Sequence, residues 1–340
     1  MTFATGIGSH PGADQAAYDE ALRQVLDVLG GDGDAGPGLP YVPEVPGRGA
    51  GAAMTGRALA LQTGLDVDLQ PAGWRLTGTS GSPGLDQRRA RSLLMQDLDA
   101  LEERVQGYAG PFKVQVAGPW TLAATTERPR GDKVLADHGA RRDLAQALAE
   151  GVADHVAELR RRVPGCTRVV VQVDEPALVA VQQARVPTAS GWGQHRSVDR
   201  PELAEVLGWV LAAAAGAGAE PWVHACAADV PWALLRGAGA QGLLADADLL
   251  GAGDLDQLAE AYEAGIAVGL GVVATHPAPT AAPAERRLAE RASRWLETLG
   301  LAPGDRLGLV PACGLAGVPA SVAPRVLQAL HDAARRVDEA

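Results

Sequence analysis

Short runs of β-branched and apolar residues alternate along the chain with longer stretches rich in Ala, Leu and Arg. The runs are Phe3–Gly8, Leu39–Val42, Phe112–Ala117, Arg168–Val173, Pro221–His224, Gly242–Asp246, Ala267–Val272 and Arg306–Val310, eight in all. The stretches between them carry apolar side chains at helical spacing. In Leu144–Val163 the stripe is Leu144, Leu148, Val152, His155, Val156, Leu159 and Val163, close to a repeat of three and four. Asp254–Ala264 and Arg286–Leu299 behave alike. Strand followed by helix, repeated, predicts a parallel sheet with right-handed crossovers. Eight such units predict a closed (β/α)8 TIM barrel, with an open doubly wound sheet as the alternative. Two stretches interrupt the alternation. Gly30–Gly51 is rich in Gly and Pro and reads as a long loop around a short strand. Leu65–Thr79 reads as a hairpin-like excursion before a helix expected over Leu85–Val105. No linker or internal repeat beyond the βα unit divides the chain, so residues 1–340 are read as one domain.

Composition narrows the picture in three ways. The chain is 47% hydrophobic and 21% charged, a globular balance that excludes a mainly disordered protein. Lys+Arg is 30 against 41 for Asp+Glu, a net charge of −11, which disfavours a nucleic-acid partner. Only Lys113 and Lys133 among the basic residues are lysine, a bias that reads as codon usage. The cysteines Cys166, Cys226 and Cys313 number three and lie far apart, so reduced thiols are expected. The N-terminal residues lack the basic and apolar regions of a secretory signal. The longest apolar run, Val206–Ala219, is broken by Gly and too short for a bilayer. A cytoplasmic location with no membrane contact is the expectation.

In a parallel barrel the chemistry gathers where strands end. Ser9 and His10 follow the first run, Glu44 the second, and Gly118-Pro119-Trp120-Thr121 the third. Asp174-Glu175-Pro176 follow the fourth, His224 and Cys226 the fifth. Asp246 closes the sixth, His276 lies just beyond the seventh, and Cys313-Gly314 follow the eighth. His224 and Cys226 are two apart, and in an extended segment residues i and i+2 point the same way. With Cys313 from across the opening they form the nitrogen and sulfur set that zinc prefers. The competing reading is that free cysteines are small buried hydrophobes. Cys166, placed before a strand, is read as structural. The Asp-Glu-Pro segment has two readings as well. It is either a pair of carboxylates serving a site or a cap at a strand-to-helix turn.

Taken together, VQVDEPAL, His-Ala-Cys, Thr-His-Pro, Pro-Ala-Cys-Gly-Leu and the early Ile-Gly-Ser-His-Pro resemble the C-terminal catalytic barrel of cobalamin-independent methionine synthase. The resemblance is closest to short single-barrel relatives and covers nearly the whole chain. It implies a barrel shared with uroporphyrinogen decarboxylases and methyl transfer to the thiol of homocysteine, with zinc holding that thiol. Residue by residue, it implies His224, Cys226 and Cys313 as zinc ligands. Asp246 stands where the family has a glutamate ligand, with Asp248 as the alternative. It places Ser9 and Asp174 at the amino-acid end of the substrate, and His276 where a histidine assists proton transfer. Ala312 replaces the family's usual Asp before the late Cys.

Glu175 is expected beside Asp174 in the acceptor pocket. The Gly/Pro loop, with Glu44 and Arg48, is expected to help shape the opening for the methyl donor, although Arg48 also reads as a solvated loop residue. The donor is a methyl-folate or a corrinoid carrier, the latter possible as a protein partner. Two other readings stand beside this one. A decarboxylase or corrinoid methyltransferase of the uroporphyrinogen decarboxylase type would need an Arg-lined cleft. A degenerate, non-catalytic barrel would need no metal.

Overall fold

The computed structural model describes residues 1–31, 38–78 and 81–339. In chain order the elements are β1 (Phe3–Ala4), α1 (Gln15–Leu29), α2 (Met54–Leu61), β2 (Asp66–Gln70), β3 (Gly73–Gly78), α3 (Leu85–Arg104), β4 (Gly110–Ala117), α4 (Pro119–Thr125), α5 (His138–Arg162) and β5 (Cys166–Asp174). There follow α6 (Leu178–Gln182), α7 (Arg200–Gly216), β6 (Ala219–Ala225), α8 (Trp232–Gly237), β7 (Gly242–Asp246), α9 (Ala252–Glu263), β8 (Ala267–Val273), α10 (Glu285–Leu299), β9 (Leu307–Pro311) and α11 (Ala323–Glu339). Among the described residues the strands form a curled, seven-stranded parallel sheet in the order β1-β9-β8-β7-β6-β5-β4, and a separate β2–β3 hairpin. The helices expected around Leu144, Asp254 and Arg286 are α5, α9 and α10. The hairpin-like excursion is β2–β3, which pairs antiparallel. Thr79 and residues 32–37 of the Gly/Pro loop lie outside the described residues.

Several helix starts are readable in the sequence. Asp14, Asp137 and Asp199 each accept a hydrogen bond from the backbone N–H three residues on, closing the first turns of α1, α5 and α7. α10 stops at Gly300, whose φ of 66° is the left-handed conformation that glycine adopts at least cost. α5 buries Leu144, Leu148, Val152, Val156 and Leu159, the stripe read from its spacing.

The second run, Leu39–Val42, is not a strand. Pro40 and Pro43 remove two backbone donors, so a continuous ladder cannot form there. The segment still lies between the two edge strands. Leu39 N–H donates to Ala4 O at 2.9 Å, and Val42 N–H to Lys113 O at 3.1 Å. Isolated parallel bridges join Ala4 to Gly38, Tyr41 to Lys113 and Ser9 to Glu44.

Two apolar clusters support the sheet. The larger fills the space between strands and helices. The smaller holds Phe3, Ile7, Leu39, Val170, Trp222, Leu244, Ala267 and Val310, side chains contributed from all round the curve of the sheet. Phe3 and Trp222 meet there with ring centroids 5.4 Å apart. Successive strand residues point to opposite faces. Val170 and Trp222 therefore fix the parity of their strands: Gln172 and Asp174 on β5, and His224 on β6, share the inner face.

Candidate metal and substrate site

Above the inner cluster, at the C-terminal ends of the strands, lies a cavity of about 320 Å³. It is lined by Ser9, Glu44, Gln115, Asp174, His224, Cys226 and Cys313, with Ile7, Met54 and Pro176 among its apolar walls. One ligand atom each from His224, Cys226 and Cys313 falls within 4.8 Å of the others. The two sulfurs are 3.2 Å apart, and both cysteines are free thiols. The donors are one nitrogen and two sulfurs, which suits zinc. Tetrahedral bonds of about 2.3 Å put two sulfurs about 3.8 Å apart, so the pair needs to part by roughly half an ångström to hold an ion. The two thiols differ in acidity. The hydrogen bond from Cys226 holds Cys313 below an ordinary thiol, and the same bond, with burial, raises Cys226.

His224 is oriented by its neighbours. Its Nδ1 lies 2.9 Å from Asp174 Oδ1, and its Nε2 lies 3.2 Å from Ala312 O. A carboxylate on Nδ1 fixes the orientation of the ring, and Nε2, which here faces the Ala312 carbonyl, would give up that contact to offer its lone pair to a metal. Burial alone would lower the imidazole, but the hydrogen bond and charge of Asp174 outweigh it and raise His224 above its ordinary value. At the Ala312 position the chain offers a backbone carbonyl to this histidine.

The adjacent carboxylates Asp174 and Glu175 part company. Asp174 lines the cavity. Glu175 is not among the lining residues, and it is only 1% exposed. Its oxygens accept from Trp120 N at 2.9 Å, Thr121 N at 2.8 Å and Thr121 Oγ1 at 2.7 Å, at the start of α4. Burial pushes it up to about 7 against the pull of these donors. Asp174 faces the cavity and Glu175 caps the start of α4, because successive residues leave a strand on opposite faces. Gly118 makes room for this arrangement: a Cβ there would stand 2.4 Å from Glu175 Oε1.

Glu44 is buried in the cavity wall. Gln115 Nε2 donates to its Oε1 at 3.1 Å, and Arg57 Nε stands 3.5 Å away. Burial raises its proton affinity, Arg57 opposes this, and Asp174 adds to it. Arg48 does not reach the cavity. Its guanidinium makes a two-pronged pair with Asp97, both contacts at 2.8 Å, and Arg57 joins the same carboxylate. Ser9 is held against the Cys-Gly-Leu segment: Leu315 N–H donates to Ser9 O at 2.8 Å. A Cβ on Gly314 would lie 1.9 Å from Ser9 Oγ, so only glycine permits this approach.

Asp246 stands outside the three-donor group. Its Oδ1 accepts the backbone N–H of Asp248 at 3.0 Å, a local turn that occupies the short side chain. Asp248 pairs with Arg291 on the surface. His276 is exposed on the segment after β8 and does not line the cavity. Cys166 opens β5, at the end of the sheet away from the cavity.

Sequence reading passed over Gln115, Gln172, Lys113 and Arg57. The signal for the first three was present: polar residues at alternate positions, Lys113-x-Gln115 and Gln172-x-Asp174, inside otherwise apolar strands.

Comparison with curated proteins gives no match. Among solved structures the chain is similar to a B12-independent methionine synthase from Shewanella sp. W3-18-1, determined in complex with selenomethionine. The identity is 16% and the TM-score 0.64, over 100% of this chain and 98% of that one, a likeness of fold. Residues 111–336, which include His224, Cys226 and Cys313, match the family of the cobalamin-independent synthase catalytic domain, and the chain belongs to that family.

Proposed function

We propose that the protein is a zinc-dependent methyltransferase that moves a methyl group onto the thiol of homocysteine to give methionine, working in a closed (β/α)8 TIM barrel. In this reading the proline-broken segment 38–44 takes the place of the eighth strand. The observation that carries the proposal is the meeting of His224, Cys226 and Cys313 within 4.8 Å, in a cavity also lined by Ser9, Glu44 and Asp174. His224 Nε2 and the two sulfurs are the proposed ligands, leaving one position for the substrate sulfur. Zinc, when bound, is a Lewis acid that keeps a thiol as thiolate near neutral pH. Glu44 and Asp174 offer carboxylate oxygens to the acceptor's ammonium group, and Ser9 offers its hydroxyl to the carboxylate. The selenomethionine named with the Shewanella structure is an amino acid of the product's shape, which agrees with such a pocket. Methyl transfer then needs alignment of sulfur, methyl and leaving group. The donor is a methyl-folate or a corrinoid carrier. His276, exposed and away from the cavity, is not used on the acceptor side.

The decarboxylase reading called for an arginine-lined cleft, and among the described residues lining the cavity there is neither Arg nor Lys. The deciding experiment is metal analysis of protein purified without added zinc, followed by X-ray absorption with homocysteine. Near-stoichiometric zinc, lost in Cys226→Ser and Cys313→Ser but kept in Cys166→Ser, supports the proposal. One added sulfur ligand at saturating homocysteine supports thiol activation. An unchanged sulfur count removes that step, and absent zinc removes the proposal.

A further inference from the structure

Beneath the cavity a line of hydrogen bonds runs from the interior of the sheet to the proposed metal ligand. Lys113, on β4, is fully buried. Its Nζ donates to Gln172 Oε1 at 2.8 Å and faces Ile7 O at 3.3 Å, with the Tyr41 ring centroid 4.9 Å away. Gln172 Nε2 donates to Ile7 O at 2.7 Å and to Asp174 Oδ1 at 2.8 Å. Asp174 Oδ1 in turn lies 2.9 Å from His224 Nδ1.

The polarity of this line is the same from end to end. Lys113 Nζ is the donor in its contact with Gln172, so Gln172 turns its carbonyl oxygen toward Lys113. Both amide hydrogens then face acceptors, Ile7 O and Asp174 Oδ1. Asp174 Oδ1 thus accepts from Gln172 and faces Nδ1 of His224, which holds that ring in place. Were the amide reversed, its oxygen would oppose both Ile7 O and Asp174 Oδ1. Lys113 Nζ, Ile7 O and Asp174 Oδ1 all favour this one orientation of the amide.

We propose that Lys113 is a positioning residue for the metal ligand His224, acting through Gln172 and Asp174. The proposal rests on the metal reading above. It accounts for a buried amine that the fold alone gives no reason to keep, since burying a polar group is costly and a hydrocarbon chain of the same length would fill the space. It also accounts for lysine here in a chain whose basic residues are otherwise nearly all arginine: a compact ammonium donates along the line without the width of a guanidinium.

The test uses Lys113→Met, Gln172→Met and the double variant of the full chain. Zinc ion alone is the probe, its affinity read by competition with a chromophoric chelator, and the melting temperature of metal-free protein is measured alongside. The expected result for Lys113→Met is a loss of about tenfold or more in zinc affinity, the range typical of groups that orient a metal ligand, with an unchanged or higher melting temperature. A residue that merely held the fold would lose both together. Gln172→Met should weaken zinc similarly, and the double variant should lose no more than the worse single, because both cut one line. Should Lys113→Met fail to fold, Gln172→Met carries the test. Zinc affinity within twofold of wild type in the folded variants overturns the proposal, and so do additive losses in the double variant. Wild-type protein that binds no zinc overturns the metal reading and this inference together. A zinc-binding wild type matched by both variants overturns this inference alone.

Discussion

Replacing Glu175 by alanine should damage the fold and spare the site, whereas changing its neighbour Asp174 should do the reverse. Glu175 satisfies two backbone N–H groups and one hydroxyl at the start of α4, all in the interior. The Thr121 hydroxyl can turn elsewhere, since it also lies 3.4 Å from the backbone N–H of Ala177. The two backbone donors cannot turn. Each buried donor left without a partner costs about 1–3 kcal/mol, so Glu175→Ala should lose about 2–6 kcal/mol. That is a large share of a typical net stability of about 5–15 kcal/mol. Gln in its place keeps one acceptor oxygen and should lose about half as much. Urea unfolding of metal-free protein reads the stability, and chelator competition reads zinc affinity in the folded protein. Glu175→Ala should bind zinc within about twofold of wild type. Asp174→Asn keeps its shape but turns a charge-assisted bond to His224 into a neutral one, at a cost of about 1 kcal/mol or more, so zinc should weaken at least about fivefold. The reasoning is refuted if Glu175→Ala stays stable yet loses zinc or homocysteine binding.

Three further outcomes follow from particular contacts. Burial holds Lys113 down to about 7, so metal-free wild type releases this proton on folding between pH 7 and the ordinary lysine range near 10.5. Its stability should therefore gain on Lys113→Met by about 1.4 kcal/mol per pH unit above 7, and parallel stability curves between pH 7.5 and 9.5 would contradict this. Asp246→Ala should change zinc affinity less than about threefold, because its carboxylate serves its own turn; titration with a chelator decides, and a loss near that of Cys226→Ser would make it a ligand. Gly314→Ala drives a Cβ into Ser9 Oγ and should weaken homocysteine binding about tenfold by calorimetry while leaving zinc in place; unchanged binding would remove Ser9 from the acceptor site.

Much of this was written in the sequence, and the misses have physical causes. The strand–helix alternation was legible because period-two and helical spacing are local properties. His-Ala-Cys was legible because i and i+2 share a face. The same parity separates Asp174 from Glu175, once Val170 and Gln172 are seen to point inward on the same strand. Leu39–Val42 looked like a strand by composition, but Pro40 and Pro43 leave it only isolated bridges. Asp246 has the position of a ligand, yet a short carboxylate beside a turn closes on its own backbone. Lys113 passed as a trace of codon usage, although its place two residues before Gln115 in an apolar run marks an inward polar column. The fit of Ser9 against Gly314 was out of reach, since it depends on segments about three hundred residues apart meeting in space.

The site also measures the curl of the sheet. β6 and β9 are separated by β7 and β8, three inter-strand steps, which in a flat sheet would put them about 14 Å apart at about 4.8 Å per step. Yet Cys226, just beyond β6, and Cys313, just beyond β9, bring their sulfurs to 3.2 Å. Gln172 Nε2 on β5 reaches Ile7 O, just after β1, at 2.7 Å, although five steps separate those strands and a flat sheet would hold them about 24 Å apart. No side chain spans such distances. These side chains meet only because the sheet turns its inner face upon itself, and the His224–Cys226–Cys313 group and the Lys113 line are consequences of that curvature. Each donor except Cys313 rides on a strand or directly at its end, with Val170, Trp222 and Leu244 packed beneath as an apolar floor. A site built this way is held by backbone pairing rather than by loops.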